Sequence, residues 1–412
     1  MSSPDPTLDT ANDTRKVLVV GASVAGVRTV QALRSAGFTG VITVLGAERH
    51  FPYDKPPISK EMLSSESTGE PVPLLTEDDV AKLDVELRLG AAAVRLDPAA
   101  KVVTTEDGEA HAYDVLVIAT GASARNLPSG EGLAGVHTLR NAEDAVQLRS
   151  ELAPGRKAVV VGAGFIGAEF AAAARAWDVD VTVVEAQPIP LAHILGDRIG
   201  AELGGLHELH GATLMTGVTT KRLVGETRVE AVELSDGRTL PADIVVVGIG
   251  AEPATAWLKG SGLPVSNGID CEASLEVTGF PDVYAAGDVA RPLHFLYGEP
   301  VRIEHWTNAN DHAALVASSI LGTPVPRPAL PYVWSDQYGH RIQIIGLPSR
   351  GELVLTRGSA ATGNLVAAYA GPDGVLVGAL VLGNPRMLMK CRKAVMKSVH
   401  HADFERDLPA AS

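Results

Sequence analysis

Ala158-Val-Val-Val161, Gly162-Ala-Gly-Phe-Ile-Gly167, an alanine-rich run to Trp177, then Val179-Asp-Val-Thr-Val-Val184: on this stretch the reading of the chain turns. The first apolar run reads as a buried strand and the last as its parallel neighbour, with a helix between them. Glycines at the first, third and sixth turn positions let the backbone and a helix N-terminus approach a pyrophosphate without a side chain in the way. Glu185 follows the second strand directly, where a carboxylate can accept both ribose hydroxyls and would repel a 2′-phosphate. No arginine cluster follows in Ala186-Gln-Pro-Ile-Pro-Leu191, so the unit points to NADH rather than NADPH. Gly162, Gly164, Phe165, Ile166, Gly167 and Glu185 are its candidate contacts.

The same unit occurs earlier. Lys16-Val-Leu-Val-Val20 leads into Gly21-Ala-Ser-Val-Ala-Gly26, a helical stretch through Arg34 and a second strand, Val41-Ile-Thr-Val-Leu45. Ser23 stands at the middle glycine position, and Glu48 is the ribose candidate. Two more elements are alike: Tyr113-Asp-Val-Leu-Val-Ile-Ala-Thr-Gly121 and Ala242-Asp-Ile-Val-Val-Val-Gly-Ile-Gly250 each set an acid before an apolar strand that ends at glycine. Each is expected to return the chain from one nucleotide domain to the next, with Gly250 close to the second dinucleotide. The segment Thr278-Gly-Phe-Pro-Asp-Val-Tyr-Ala-Ala-Gly-Asp288 offers a strand ending at Gly287 and Asp288, an acid able to bond a polyol hydroxyl of a ribityl chain. A protein binding only NAD has no use for such an element, which assigns FAD to the first copy. The expected fold is α/β, with two Rossmann-like dinucleotide-binding domains (FAD and NAD) and a C-terminal α+β interface domain.

The expected boundaries are a disordered tail over 1–14, an FAD-binding domain from 15–122 and 251–326, an NAD-binding domain over 123–250 and a C-terminal domain over 327–412. The last begins after the proline-rich Pro324-Val-Pro-Arg-Pro328. In it Arg341–Ile345, Glu352–Leu355 and Val375–Val381 read as strands, and Pro385 to Val399 as a closing helix. A net charge of −14 argues against nucleic acid as the main partner. No apolar run reaches the roughly 20 residues of a membrane span, and the acidic N-terminus lacks a signal-peptide pattern, so a cytoplasmic protein is expected. Cys271 and Cys391 are the two cysteines, in no motif, and no metal is expected.

Four longer stretches narrow the reading: Pro52-Tyr-Asp-Lys-Pro-Pro-Ile-Ser-Lys60, Gly164-Phe-Ile-Gly-Ala-Glu169, Glu304-His-Trp-Thr-Asn-Ala309 and Pro331-Tyr-Val-Trp-Ser-Asp-Gln-Tyr-Gly339. With these the chain resembles the two-dinucleotide-binding-domain flavoproteins of the glutathione reductase fold. Within them it is similar to ferredoxin reductases of the putidaredoxin reductase and aromatic-dioxygenase reductase type. The resemblance implies tightly bound FAD, NADH as donor and an iron–sulfur protein as acceptor. It implies Lys60 near flavin N5, paired with Glu169, where an ammonium would stabilise the anionic reduced ring. Glu169 would hold Lys60 and could bond the nicotinamide carboxamide, and Trp306 would lie against the isoalloxazine. Ala25, Ala93 and Arg140 match family positions around the FAD adenine and pyrophosphate. Lys55 stands where arginine is common, and His193 replaces another expected arginine, with no role assigned to it.

Residues 1 to 270 contain no cysteine, so electrons arriving at the flavin have no protein dithiol to enter. The expected activity is therefore hydride transfer from NADH to FAD N5, then two single-electron transfers to a small acidic ferredoxin serving a cytochrome P450 or another oxygenase. Arg386, Lys390, Lys393 and Lys397 fall on one face of the terminal helix and Arg392 adds charge; Arg302 and Arg341 are further docking candidates. A monomer or weak dimer is expected. The alternatives are a rubredoxin- or quinone-type reductase, an oxygen-reducing oxidase, and an NADH-responsive regulatory flavoprotein of the apoptosis-inducing-factor type.

Overall fold

The computed structural model describes residues 13–408, so the expected tail over 1–14 falls, apart from Asp13 and Thr14, outside the described residues. The chain forms two compact units, Met1–Lys55 with Val72–Ser123 and Glu252–Ala329, and Pro56–Pro71 with Ala124–Ala251 and Leu330–Ser412.

In the first unit a five-stranded parallel sheet runs Val283–Ala285, Val115–Ile118, Lys16–Val20, Val41–Gly46, Glu86–Leu89 across its width. The central strands are apolar at successive positions because both faces are covered. Val17, Leu18, Val19 and Val20 are all buried, as are Val115 to Ile118. Helices Val24–Ser35 and Trp306–Leu321 pack against each other. An antiparallel three-stranded sheet, Ala93–Asp97 with Val102–Thr105 and Ala110–Ala112, and a small four-stranded sheet from Val265 to Pro300 complete the unit.

The second unit repeats the plan. Its parallel sheet runs Thr213–Thr216, Asp180–Glu185, Lys157–Val161, Ile244–Val247, Val136–His137. The same unit holds an antiparallel five-stranded sheet with the order Tyr332–Gln337, His340–Gly346, Leu376–Leu382, Asn364–Ala370, Glu352–Ser359. Helix Ala192–Leu209, interrupted at Gly196, packs Leu195, Ile199 and Leu203 into one apolar cluster with Ile342, Leu365 and Leu380 of that sheet. The Tyr369 hydroxyl donates to the Leu195 carbonyl at 2.7 Å, and His207 Nδ1 meets the Tyr338 hydroxyl at 2.7 Å.

The twin units share details that follow from the duplicated sequence. Asp114 Oδ2 accepts the Lys16 N–H at 2.7 Å, and Asp243 Oδ2 accepts the Lys157 N–H at 2.8 Å. Each acid before a strand therefore ties down the first residue of the neighbouring strand. The closing helix is shorter than expected. It spans Pro385–Met396 with Lys397 as its cap, because Ser398 turns left-handed at φ 51° and a new helix, His401–Arg406, follows.

Residues 56–71 pack with the second unit, inside the expected first-domain range, and specific bonds hold them there. Arg149 donates to the carbonyls of Met62 (3.2 Å), Ser67 (2.7 Å) and Ser64, while Trp177 Nε1 donates to the Leu63 carbonyl at 2.8 Å. Met62 and Leu63 are themselves buried, so apolar packing reinforces the anchor.

Candidate functional site

In the first unit the glycine turn closes as its spacing requires. Gly21 N donates to the Leu45 carbonyl at 2.8 Å, and its φ of 120° is open to glycine alone. A Cβ on Gly26 would stand 1.9 Å from the Gly21 carbonyl oxygen, so the helix passes directly over the turn. Ser23 is the N-cap of helix Val24–Ser35, yet its side chain makes no cap bond. Elsewhere Thr76 and Asn141 close full capping boxes on their helices. The dinucleotide helix thus leaves its first-turn N–H groups for a ligand, and this arrangement fits a pyrophosphate. Ala25 is buried against the turn that Gly287 opens, a Cβ there lying 3.0 Å from that of Ala25. Asp288 follows, half-buried, in the short helical turn Gly287–Val289.

Glu48 lies two residues past the second strand. The Tyr53 hydroxyl donates to its Oε2, and Lys55 Nζ donates to its Oε1 at 2.9 Å and to the Tyr53 oxygen at 2.9 Å. Burial pushes the Glu48 carboxyl up, but the Lys55 charge and these bonds outweigh it and hold it below the usual carboxylate range. Lys55 is thereby tied to both Glu48 and Tyr53. Trp306 opens helix Trp306–Leu321, packs on the unit's core, and donates its indole N–H to Asp54 Oδ1 at 2.5 Å. Ala93 begins a strand of the three-stranded sheet and also packs on that core.

The second unit repeats the cradle. Gly162 N donates to the Val184 carbonyl at 2.8 Å, Gly162 has φ 101°, and a Cβ on Gly167 would stand 2.1 Å from the Gly162 oxygen. Gly164 is an N-cap with no side chain to satisfy helix Phe165–Arg175, whose exposed Ile166 and half-buried Phe165 form the first turn. Glu185 uses Oε2 to accept the Ala163 N–H and Oε1 to accept the Gln187 N–H, both at 2.8 Å. Each oxygen keeps a further lone pair, so the carboxylate is both braced and able to take ribose hydroxyls. Gly250, at φ 95°, has open space where a Cβ would be. Arg140 precedes helix Ala142–Glu151, its N–H held by Asp144 Oδ2 at 2.8 Å.

One carboxylate concentrates the polarity of this unit's interior. Glu169 Oε2 accepts Lys60 Nζ at 2.7 Å and the Ser59 hydroxyl. Its Oε1 accepts the Ser335 hydroxyl at 2.8 Å and the Asp336 N–H at 3.1 Å, and Gln337 Nε2 donates to Ser335 Oγ at 3.0 Å. Of nine buried polar or charged side chains among the described residues, four (Ser59, Glu169, Ser335 and Gln337) belong to this one network. Burying a carboxylate is costly unless its lone pairs are met, and here four donors meet them. The expected bond from Glu169 to a nicotinamide carboxamide has little capacity left to draw on. Ser59, Ser335 and Gln337 were not among the sequence candidates; their signal was only their place inside the Pro52–Lys60 and Pro331–Gly339 motifs.

Cys271 and Cys391 are free and buried, and burial pushes each thiol up to about 12, so neither is a thiolate at neutral pH. Arg386, Arg392, Lys393 and Lys397 are exposed and Lys390 half-exposed, on and at the end of helix Pro385–Met396, interleaved with the exposed Met389 and Met396. Arg341 is held by both oxygens of Asp336, at 2.7 and 3.1 Å. Arg302 is committed to its own unit, bonding Glu304, Asn267 Oδ1 at 3.1 Å and the Asp288 carbonyl at 3.3 Å. His193 is exposed on helix Ala192–Leu209.

The chain matches the pyridine nucleotide-disulphide oxidoreductase family over residues 15–313 and the reductase C-terminal family over residues 332–406. It is 38% identical over 373 residues, 90% of each chain, to the biphenyl dioxygenase system ferredoxin–NAD(+) reductase component of Paraburkholderia xenovorans (strain LB400). To rhodocoxin reductase of Rhodococcus erythropolis it is 37% identical, covering 96% of this chain and 94% of that one. Among solved structures it is similar to putidaredoxin reductase in its covalent complex with putidaredoxin, with a TM-score of 0.91, 30% identity and 94% of both chains covered.

Proposed function

This chain belongs to the pyridine nucleotide-disulphide oxidoreductase family, among its FAD- and NADH-dependent ferredoxin reductases, and from that premise we propose that it passes electrons from NADH to a small acidic ferredoxin serving an oxygenase, a cytochrome P450 or a ring-hydroxylating dioxygenase. The observation that carries the reading is the buried Glu169 network with Lys60 as its cationic member, in a chain whose two thiols are buried and protonated. FAD, when bound, supplies the chemistry of taking up a hydride and giving up electrons singly.

The chain's own residues bind and orient. Gly21, Ser23, Gly26, Glu48, Gly287 and Asp288 hold the flavin nucleotide; Gly162, Gly164, Gly167 and Glu185 hold NADH. Lys60, fixed by Glu169, would supply an ammonium able to stabilise negative charge on a reduced flavin. With no thiolate to intercept them, the electrons leave to an external carrier. Two buried free thiols also suit a reducing, cytoplasmic setting.

Steady-state NADH oxidation with a panel of purified ferredoxins and a rubredoxin tests the acceptor. A ferredoxin should give the highest kcat/KM; rubredoxin, a quinone or oxygen as the better acceptor would overturn the reading. Glu185→Arg should lower kcat/KM for NADH by about 10- to 100-fold, because two charge-assisted backbone bonds and the ribose contact go together. An unchanged NADH-to-NADPH ratio would remove Glu185 from the site.

For docking, we assign the face of helix Pro385–Met396, where cations surround two exposed methionines and so offer both charge and apolar area to an acidic partner. Lys390→Glu with Lys393→Glu should reduce kcat/KM for ferredoxin about tenfold at low ionic strength, with the deficit shrinking as salt screens it. NADH-to-ferricyanide activity is the control, and unaltered ferredoxin kinetics would exclude this face.

A further inference from the structure

Helix Trp306–Leu321 carries an imidazole that its surroundings alone do not call for. His312 is 5% exposed, and its Nδ1 accepts the backbone N–H of Gly287 at 3.2 Å. Gly287 has φ 75° and sits where a Cβ would lie 3.0 Å from that of Ala25 and 3.7 Å from that of Ala309. The turn is therefore wedged between helices Val24–Ser35 and Trp306–Leu321, and the next residue is Asp288. Burial drives His312 down to about 3, helped by His294, itself held down to about 4 by burial. Both rings are neutral at working pH, so with Nδ1 accepting, the His312 proton sits on Nε2 and the bond to Gly287 does not titrate away. An aliphatic side chain at 312 would pack as well but would leave a buried N–H unmet at the turn.

We propose that His312 is a positioning residue for the flavin: by taking the Gly287 N–H from within the helix, it fixes the Gly287–Asp288 turn so that Asp288 meets the ribityl chain. This rests on the reading of Asp288 as a flavin ligand. His312 touches no cofactor atom in this scheme; it acts through the turn.

The test uses full-length holoprotein and follows FAD release on dilution as the rise in flavin fluorescence. His312→Leu should release FAD about 10- to 100-fold faster than the parent. His312→Asn, whose Oδ1 can take the place of Nδ1, should restore release to within about threefold. Asp288→Ala should also release FAD faster, and combining it with His312→Leu should add little, since both changes act on one turn. Should His312→Leu fail to accumulate, His312→Met against His312→Asn makes the same comparison. Parental release from the Leu or Met variant beside a leaky Asp288→Ala would overturn the proposal, as would Asn releasing FAD as fast as Leu. Asp288→Ala that holds FAD like the parent would instead sink the ligand reading beneath it.

Discussion

Lys60→Met, purified with its FAD, should stay yellow and reduce its flavin with NADH about 10²- to 10³-fold more slowly than the parent, the range seen when one group that stabilises developing charge is removed. Glu169 keeps the Ser59 and Ser335 hydroxyls and the Asp336 N–H, so three of its four donors remain, but the carboxylate loses its counter-charge, and thermal stability is therefore read beside the rate. Replacing Glu169 by leucine is a blunter change. It would strand an ammonium, two hydroxyls and an N–H in a buried site, at a cost of about 3–5 kcal/mol, and mix folding with chemistry. The measurement is the limiting rate of flavin bleaching in a stopped-flow at saturating NADH, with FAD content checked beforehand. A loss in that limiting rate with little change in the half-saturating NADH concentration is the expected pattern, since no contact to the adenosine half is touched. A parental limiting rate would take Lys60 out of the proposed mechanism.

How far the site was legible in sequence depends on how local each feature is. The two cradles were readable because their physics lies within thirty residues: strand, glycine turn, helix and acid are consecutive, and the structure returns the Gly21-to-Leu45 and Gly162-to-Val184 bonds in duplicate. The acids before the strands at Asp114 and Asp243 stood out as a repeated pattern, while their role, tying down Lys16 and Lys157, needed the neighbouring strands to be known. The Glu169 network was legible only at its charged members. Ser59 and Ser335 lie 110 and 166 positions from Glu169, and no periodicity links them. Seryl hydroxyls occur throughout any soluble chain, so composition could not mark these two. The closing helix was overdrawn at its end because Ser398 and Val399 lack a breaker such as glycine or proline, although Ser398 takes the left-handed turn. Arg302 shows the opposite failure: its charge was visible, its commitment to Glu304, Asn267 and the Asp288 carbonyl was not.

The duplicated cradle permits a paired experiment in which one methyl group has opposite consequences according to where it is placed. In Gly26→Ala the new Cβ would meet the Gly21 oxygen at 1.9 Å and Val19 Cγ1 at 3.2 Å; in Gly167→Ala it would meet the Gly162 oxygen at 2.1 Å and Val160 Cγ1 at 3.2 Å. The closer neighbour in each case is the backbone oxygen of a glycine whose own N–H is bonded to a strand carbonyl, so the turn and the helix must separate. A shift of about 1 Å at such a turn is enough to cost on the order of 10²-fold, because the helix N–H groups no longer converge on the pyrophosphate. Gly26→Ala should therefore come off the column largely colourless. Gly167→Ala should be yellow, carry FAD like the parent, bleach normally with dithionite and respond to NADH about 10²-fold less well. Flavin absorbance per chain, followed by NADH and dithionite titration, separates the two. If the colours were exchanged, FAD would belong to the second cradle and NADH to the first. If both variants lost colour, the second turn would be serving the integrity of the fold as well as its ligand.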